Sequence, residues 1–372
     1  MNIGVCLRTW GEKGGIGVYS RHLLEALLSL DTENQYTLFY SDKTHLGQFS
    51  HYENVKELHV QAPGKFLWDQ MAVPYYAKKE HVTLLFHTKF AVPLLASCKT
   101  VMVLHGSERF VYPQFSHKSD IFFFKTIYPQ YLRKATAIIS VSENARKDII
   151  HFLHIDPKKV KTIHLAVSEH FRRIDDTSYL ESIRKKYALP DRFLLNVGLI
   201  YPGKNIPNLL RAFRLVRQEE DIKLVIVGSG RRMYRQDLEL IEHLELQQDV
   251  FLPGYIAHQD LAAVYNLAES VVFPSFYESF PAIPLESMAC GCPVVISHTG
   301  GAPEAAGDAA RYVDPWNVED IANGIRDVLT NSQLRQTLIQ QGFAQAQRFS
   351  WNTCARQTLQ VFEDIVEHAL AS

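Results

Sequence analysis

Two glutamates, Glu278 and Glu286, lie eight residues apart in the stretch FYESFPAIPLESMACGCPVV, residues 276–295. The preceding run SVVFP is continuously apolar, as in a buried strand, so Glu278 is predicted at the carboxyl end of that strand. Pro284 suits the first turn of a helix, and we predict Glu286 within that same turn, where the helix dipole favours a carboxylate. The plainer interpretation is a solvated loop acid followed by a helix-terminal acid.

The segment between these glutamates could bind an anion that also carries hydroxyl groups. Free backbone N–H groups around Phe280 to Ile283 would face the ligand at the start of the predicted helix. A phosphate flanked by two carboxylates is understandable if hydroxyl groups lie on either side, because carboxylates accept hydrogen bonds from vicinal diols. A nucleotide sugar has this order of groups: sugar, diphosphate and ribose.

A lysine stands at a second predicted strand end, in VGLIYPGKNIPNLL, residues 197–210. The strand ends near Gly198, and Lys204 precedes a helix, where its ammonium group could reach a phosphate. A solvated lysine is the commoner case. The next strand, KLVIVG, ends at Gly228, and Gly230 follows in the same small-residue turn.

Glycines also follow the first predicted strand, in GEKGGIGVYS, residues 11–20. We expect Gly15 and Gly17 to lie in a loop ahead of a helix, where a glycine lets the backbone approach a ligand closely. The spacing differs from the dinucleotide fingerprint G-x-G-x-x-G, so a nicotinamide cofactor is not favoured. A flexible turn without a ligand remains the alternative.

The elements that would position these residues alternate along the chain as apolar strands and amphipathic helices. Such alternation indicates parallel sheets covered on both faces. A chain of 372 residues exceeds the usual size of one hydrophobic core. We therefore predict an α/β protein of two doubly wound, Rossmann-like domains facing across a cleft. Ten strands are predicted from apolar runs, at residues 1–7, 35–40, 82–87, 100–105, 136–142, 193–198, 223–228, 250–254, 270–274 and 293–297.

Composition narrows the class of partner. Lys plus Arg (39) nearly equals Asp plus Glu (40), so no overall positive field suggests nucleic acid. The N-terminus does not have the pattern of a signal peptide, and the five cysteines are an odd number, which favours a reduced, cytoplasmic protein. Cys290 and Cys292 are interpreted as small buried residues. With no Asp-x-Asp pair in the sequence, we expect no metal site and no cofactor.

The order of these motifs resembles glycosyltransferase family 4, whose members are retaining enzymes of the GT-B fold. The E-x7-E segment, the glycine loop with Tyr19, and VGLIYPGKN carry the resemblance, together with VLHGSE (103–108) and ISVSENARKDI (139–149). The likeness covers nearly the whole chain. It implies that the last helix returns to the N-terminal domain.

The resemblance also implies roles for individual residues. Glu278 would contact hydroxyls of the donor sugar, Glu286 the ribose diol, and His105 the donor sugar. Lys204 would hold the diphosphate and act in catalysis with Glu278 and His105. The remaining donor-binding residues would be Gly15, Gly17, Gly198, Gly228, Tyr255, Ser279, Phe280, Pro281 and Ala282.

Domain roles and activity follow from the same resemblance. Residues 1–170, with a helix at about 353–372, would bind the acceptor, and residues 171–352 the nucleotide sugar. The expected activity is metal-independent, retaining transfer of a hexose, from a UDP-hexose in slight preference to GDP-mannose, to a glycan or lipid-linked acceptor in polysaccharide or glycoconjugate biosynthesis. Alternatives are a nucleotide-sugar epimerase or hydrolase of the same fold, and a scaffold without activity.

The acceptor is the least defined partner. Residues 120–135, DIFFFKTIYPQYLRKA, alternate aromatic and basic side chains in the predicted acceptor domain. They could form a peripheral patch that meets a lipid-linked glycan at the inner face of the membrane. A buried aromatic helix face with solvated cations is the interpretation we favour.

Overall fold

The computed structural model describes residues 1–12, 14–228 and 235–370, and it divides the chain into two compact units. The N-terminal unit comprises Met1–Leu165 and Ser350–Ser372, and the C-terminal unit comprises Ala166–Phe349. The sequence analysis placed these divisions at 170 and 352. Within the described ranges, no helix combines the length and the apolar character needed to cross a bilayer.

In the N-terminal unit the described residues form a sheet of seven strands, all parallel, in the order β3-β2-β1-β4-β5-β6-β7. Its central strands are apolar along their whole length because helices cover both faces. The strands are β1 (Asn2–Leu7), β2 (Gln35–Tyr40), β3 (Val55–His59), β4 (Leu84–His87), β5 (Lys99–Leu104), β6 (Ala137–Ser140) and β7 (Val160–Thr162).

In the described part of this unit, seven α-helices connect the strands. A π-helical turn at Trp68–Ala72 joins α2 and α3 into one helical segment. The helices are α1 (Gly15–Leu30), α2 (Lys65–Leu67), α3 (Val73–Lys79), α4 (Glu108–Val111), α5 (Lys118–Thr126), α6 (Tyr128–Lys134) and α7 (Glu143–Leu153).

The described residues of the C-terminal unit form six parallel strands in the order β10-β9-β8-β11-β12-β13. The strands are β8 (Phe193–Val197), β9 (Lys223–Val227), β10 (Val250–Gly254), β11 (Ser270–Phe273), β12 (Val294–Ser297) and β13 (Ala310–Val313). Its helices are α8 (Thr177–Lys186), α9 (Ile206–Arg217), α10 (Arg235–His243), α11 (His258–Leu267), α12 (Ala282–Ala289), α13 (Ala302–Ala306), α14 (Val318–Thr330) and α15 (Ser332–Gln347).

The last helix, α16 (Trp351–Leu370), belongs to the N-terminal unit and packs along α1. Phe362 is fully buried, with its ring centroid 5.1 Å from that of Phe86 on β4. At the start of the helix the ring of Trp351 meets that of Tyr19 edge-on at 5.8 Å. Aromatic contacts at the start and in the middle of α16 therefore anchor it to this unit.

Each sheet has a switch point, where the strand order reverses direction. In the N-terminal sheet it lies between β1 and β4, and in the C-terminal sheet between β8 and β11. Open parallel α/β sheets bind ligands outside the carboxyl ends of the strands at such points. Candidate residues in the loops after these four strands therefore lie where folds of this kind bind ligands.

The aromatic residues at 120–135 mostly face the interior. Phe124, Tyr128 and Tyr131 are buried in one cluster with side chains of β5 and β6. Phe122 is 66% exposed. This agrees with the interpretation that the sequence analysis favoured for the segment, a buried aromatic helix face.

Candidate functional site

Lys204 stands at the end of the turn that follows β8. A short 3-10 turn, Pro202–Lys204, leads into Asn205, which adopts a left-handed conformation (φ 58°) as the N-cap of α9. The buried Asn205 amide donates hydrogen bonds to the carbonyl oxygens of Pro274 (2.9 Å) and Pro315 (2.6 Å). Asn205 thus ties the lysine turn to the loop after β11. Sequence reasoning assigned it no role.

Glu278 lies in the loop that follows β11, and its backbone is held by a turn that follows β12. The N–H of Gly301 donates to the Glu278 carbonyl oxygen at 2.7 Å. Gly300 has φ +62°, and a Cβ there would lie 2.4 Å from the same oxygen, so a side chain would displace this loop. The adjacent glycines Gly300 and Gly301 open the stretch GGAPEAAGDAA, residues 300–310, and are the sequence signal from which this turn beneath Glu278 could have been predicted.

The two loops bring Lys204 and Glu278 together at the switch point of the C-terminal sheet. Lys204 Nζ lies 2.6 Å from Glu278 Oε1, and the two side chains are 12% and 15% exposed. The ammonium group also lies 4.4 Å from the centroid of the Phe273 ring, within cation–π range. A charged pair is therefore fixed in a largely desolvated position at the sheet edge.

Gly198 and the start of α12 border this pair. A Cβ at Gly198 would lie 3.6 Å from both Lys204 Cε and Ile283 Cδ1. Ala282 and Ile283 are the first two residues of α12, so their N–H groups have no carbonyl partner within the helix. Lys204 and unpaired backbone donors thus lie near one another, as a phosphate site requires.

The structure corrects the predicted position of Glu286. The helix begins at Ala282, so Glu286 is its fifth residue and lies beyond the first turn. Pro284 is the third helical residue. An N–H at that position has no acceptor within the helix, so a proline, which lacks the N–H, costs no hydrogen bond there. The prediction placed the helix start too late because it took the prolines as the boundary.

Glu286 is held by a residue that sequence reasoning missed. The buried Tyr265 hydroxyl on α11 donates to Glu286 Oε2 at 2.8 Å. Burial raises the pKa of Glu286 to about 7, although that hydrogen bond opposes the shift. Within the described residues, the second carboxylate oxygen accepts no hydrogen bond.

Other predicted donor-site residues occupy the same edge of the C-terminal sheet. The backbone of Gly228 packs closely against Gly198. A Cβ at Gly228 would lie 2.5 Å from the Gly198 carbonyl oxygen, so a side chain does not fit there. Tyr255 follows β10 and is 46% exposed. Gly230 lies outside the described residues.

The segment between the two glutamates, which the sequence predicted to bind the donor, is packed into the C-terminal unit. Ser279, Phe280 and Pro281 are buried. The Phe280 ring packs edge-on against Phe349, with centroids 5.4 Å apart. Its side chain therefore fixes the loop.

His105 lies in the N-terminal unit, directly after β5. Its Nε2 lies 2.6 Å from the Thr88 carbonyl oxygen, and its ring meets Tyr19 edge-on at 4.7 Å. Burial lowers the pKa of His105 to about 4, so the ring is neutral at pH 7. Because a carbonyl oxygen can only accept, Nε2 carries the proton and Nδ1 is a hydrogen-bond acceptor.

The glycine segment differs from the predicted loop, because α1 begins at Gly15. Gly15 and Gly17 therefore both lie in the first helical turn. A Cβ at Gly17 would lie 2.0 Å from the Glu12 carbonyl oxygen, whereas one at Gly15 would meet nothing within 4 Å. Gly17 thus permits a close backbone contact within the chain, while Gly15 borders open space.

A further ion pair, missed by sequence reasoning, lies at the switch point of the N-terminal sheet. Arg8 follows β1, and its Nε lies 3.1 Å from Oδ1 of Asp69 in the π-helical turn. The side chains are 16% and 11% exposed. Burial raises the pKa of Asp69, although Arg8 opposes the shift.

This pair lines a narrow notch with room for about one water molecule. At its wall the His87 Nε2 lies 3.1 Å from Cys6 Sγ, and burial lowers the pKa of His87 to about 3. Lys89 stands at the rim, with Nζ 3.2 Å from Glu12 Oε2. The notch is lined by Cys6, Arg8, Thr9, Trp68, Asp69, His87, Lys89 and Ala91.

Cys290 and Cys292 are buried free thiols, which confirms their interpretation as small core residues. In the part of the chain that the structure describes, no three His, Cys, Asp or Glu side chains form a group that could hold a metal ion.

Two α/β units, each built on a parallel sheet, are the architecture of the GT-B class, and comparison with known families identifies the chain as a glycosyltransferase. The family described as glycosyl transferases group 1 matches residues 181–345, and glycosyltransferase family 4 matches residues 13–171. Between them they span most of both units. The chain belongs to the group 1 glycosyltransferases of family 4.

Individual relatives support this assignment. The chain is 27% identical over 366 residues to O-antigen chain mannosyltransferase B of Escherichia coli, covering 94% of this chain and 96% of the relative. It is 29% identical over 273 residues to a Campylobacter jejuni enzyme named as transferring N-acetylgalactosamine to a diphospho-undecaprenol glycan, covering 72% and 68%. The Anabaena protein HepE, solved with UDP and glucose, has the same fold (TM-score 0.77, 19% identity, 98% and 100% coverage).

Proposed function

We propose that this protein is a retaining glycosyltransferase whose C-terminal unit binds a nucleoside diphosphate sugar at the Lys204–Glu278 pair. The observation that carries the proposal is the 2.6 Å contact between these side chains at the switch point, beside the start of α12. The cation and the helix start suit a diphosphate, and the carboxylate suits sugar hydroxyls. These are the adjoining groups of a nucleotide sugar.

In this proposal Lys204 and Glu278 bind different parts of the donor. Lys204 turns its ammonium group to the diphosphate, joined by the N–H groups of Ala282 and Ile283. Glu278 accepts hydrogen bonds from the sugar. The pair holds each side chain near its working position beforehand, which reduces the ordering that binding requires.

Glu286 would bind the ribose. With Tyr265 donating to one oxygen, the other oxygen accepts from the diol. The ionised carboxylate is the better acceptor, and its pKa of about 7 makes this contact depend on pH near neutrality.

The proposed chemistry proceeds on one face of the sugar. The bond between the anomeric carbon and the diphosphate oxygen breaks, and a bond to the acceptor oxygen forms on the same face. The acceptor hydroxyl proton passes to the departing phosphate oxygen. Lys204 and the helix start stabilise the developing charge, and one such donor is typically worth about 3–4 kcal/mol.

His105 would act as an acceptor toward a donor-sugar hydroxyl. Its ring is neutral and its Nε2 proton is engaged by Thr88, so Nδ1 offers a lone pair. We propose that it positions the sugar and does not transfer a proton.

Metal independence is part of the proposal. Lys204 and the backbone donors of α12 supply positive potential where a divalent ion would otherwise neutralise the diphosphate. We therefore expect donor binding to be unaffected by a chelator.

The acceptor is proposed to bind the N-terminal unit. Its Arg8–Asp69 notch combines a donor and an acceptor of hydrogen bonds, the complement of a sugar hydroxyl. The names of the relatives favour a mannosyl donor and a glycan or lipid-linked acceptor in surface polysaccharide assembly. GDP-mannose is therefore the first donor to test, beside the UDP-hexoses. A cytoplasmic location belongs to the same proposal.

Calorimetric titration with UDP, GDP, ADP and their common sugars, with and without EDTA, tests this function. We expect micromolar binding of one nucleotide, unchanged by EDTA, together with sugar transfer when an acceptor glycan is added. Release of free sugar or its epimer without an acceptor would instead support a hydrolase or epimerase. Absence of binding by every nucleotide would support a scaffold.

A further inference from the structure

Six large apolar side chains are exposed on two short segments of the N-terminal unit. They come from the helical segment of α2 and α3 and from the loop after β4, and we call them the apolar ridge. They are Phe66 (65% exposed), Leu67 (41%), Met71 (55%), Tyr75 (65%), Leu94 (37%) and Leu95 (67%).

The two segments form one surface because Gln70 joins them. The buried Gln70 amide donates to the Val92 carbonyl oxygen at 3.1 Å and accepts from the Leu94 N–H at 2.9 Å. Leu67, Met71 and Tyr75 are spaced four residues apart and therefore share one helix face.

The opposite face of the same helical segment is already packed. Trp68, Val73 and Ala77 are buried in a core cluster with residues of β1 and β2. Trp68 also donates to the Val60 carbonyl oxygen at 2.8 Å. The segment thus has a filled inner face, and its outward face is apolar where a solvated helix would be polar.

Basic side chains stand at both ends of the helical part of the ridge. Lys65 precedes Phe66, and Lys78 and Lys79 follow Tyr75. None of the three forms an ion pair with any residue in the ranges the structure describes. The acids of the segment are neutralised, because Asp69 pairs with Arg8 and Glu80 with Lys56. The ridge is therefore apolar in its middle and positively charged at its ends.

We propose that the apolar ridge docks on the surface of an anionic lipid bilayer. Its aromatic and aliphatic side chains enter the boundary between head groups and acyl chains, and the three lysines contact the lipid phosphates. A second copy of the chain is a poorer occupant, since self-association would bring the same lysines together. The proposal goes beyond sugar transfer and does not rest on it.

Vesicle sedimentation of the full-length protein tests the proposal. The probes are vesicles of phosphatidylcholine alone and vesicles with about one third phosphatidylglycerol. We expect the protein to bind the anionic vesicles and to dissociate as salt is raised. The double variant Phe66→Asp/Leu95→Asp should bind at least about ten-fold more weakly, because two exposed apolar anchors become charged.

The matched control is Phe122→Asp, which changes an aromatic side chain of equal exposure (66%) outside the ridge. We expect the control to bind vesicles like the unchanged protein. Circular dichroism and nucleotide titration should be unaltered in both variants, which separates loss of docking from loss of fold or of the donor site.

Three outcomes would overturn the proposal. One is that the unchanged protein binds neither vesicle. Another is that the ridge variant and the control bind equally well. The third is that the unchanged protein dimerises without lipid and the ridge variant is monomeric by sedimentation velocity, which would assign the surface to a second copy.

Discussion

The two sheets each hold a cation–carboxylate pair at the switch point, and the pairs are similarly buried. Lys204 and Glu278 are 12% and 15% exposed with 2.6 Å between Nζ and Oε1, while Arg8 and Asp69 are 16% and 11% exposed with 3.1 Å between Nε and Oδ1. They differ in surroundings. The first pair borders a helix start with unpaired N–H groups, and the second lines a notch with the neutral His87.

Under the function proposed above, this difference separates a site for an anion from a site for hydroxyl groups. Lys204 lies beside backbone donors that have no partner in their helix, so a ligand with two phosphates matches the local potential. Around Asp69 the positive charge is largely balanced, and burial raises the pKa of that carboxyl. A neutral sugar is the better match there. Under the function proposed above, the switch points of the two sheets would serve opposite halves of a transfer reaction.

The largest expected effect is loss of turnover on removing the cation of the C-terminal pair. Lys204→Ala should lower kcat about 10²- to 10³-fold, because the departing diphosphate loses a preorganised positive charge. Initial rates of sugar transfer at saturating donor would measure it. Lys186→Ala is the control, since Lys186 also forms a 2.6 Å pair, with Asp260, in the same unit. Equal activity of the two variants would remove Lys204 from the mechanism.

The N-terminal pair should affect the acceptor and leave the donor unchanged. Asp69→Asn is expected to reduce kcat/KM for the acceptor about ten-fold, the usual cost of one hydrogen bond to a charged group. Nucleotide-sugar affinity, measured by calorimetry, should stay the same. Glu80→Gln, which alters the Lys56–Glu80 pair of this unit, should change neither quantity. A matching loss of donor affinity in Asp69→Asn would contradict separate tasks for the two pairs.

The raised pKa of Glu286 predicts that donor affinity at the C-terminal site depends on pH. Since its pKa is about 7, donor affinity should rise up to about ten-fold from pH 6 to pH 8 as the carboxylate ionises. Glu286→Gln should bind the donor more weakly and without that dependence, as titrations at several pH values would show. His105, with a pKa of about 4, does not titrate in this range. A pH dependence that persists in the variant would assign it to another group.

The same shift predicts a change in stability with the opposite sign. The folded chain keeps the Glu286 proton up to about pH 7, whereas the unfolded chain releases it near 4.5. The free energy of unfolding therefore falls as pH rises between those values. Glu286→Gln removes that fall, so denaturant unfolding at pH 5 and pH 8 should show a smaller difference in the variant. An unchanged difference would mean that Glu286 is ionised in the folded protein at pH 5.

Sequence reasoning predicted the interior strands of both sheets and missed three edge strands. The interior strands are continuous apolar runs because helices cover both faces. The missed strands, β3, β7 and β13, lie at sheet edges. They are three to five residues long and only partly buried, so their sequences, such as VKELH, carry polar side chains. Whether such a segment joins the sheet depends on pairing with the neighbouring strand, and the local sequence pattern does not encode that pairing.

The residues of the candidate site also fall into those that the sequence could predict and those that it could not. Lys204 and Glu278 each follow an apolar strand directly, so their place at the sheet edge could be predicted. Asp69 lies within KFLWDQM, in a helical segment that reaches the switch point through tertiary packing. Tyr265 is likewise one aromatic residue on a buried helix. Nothing in the local sequence distinguishes either residue from an ordinary structural one.

The smallest expected effects concern the two glycines of α1, which sharpen the description of the N-terminal switch point. Gly17→Ala should lower the free energy of unfolding by about 1–3 kcal/mol, because its Cβ would lie 2.0 Å from the Glu12 carbonyl oxygen. Gly15→Ala, with nothing within 4 Å of the new Cβ, should be neutral or slightly stabilising in denaturant unfolding. If Gly15→Ala nonetheless weakens transfer, the open space beside Gly15 belongs to a ligand. If it leaves transfer unchanged, Gly15 serves only the start of α1.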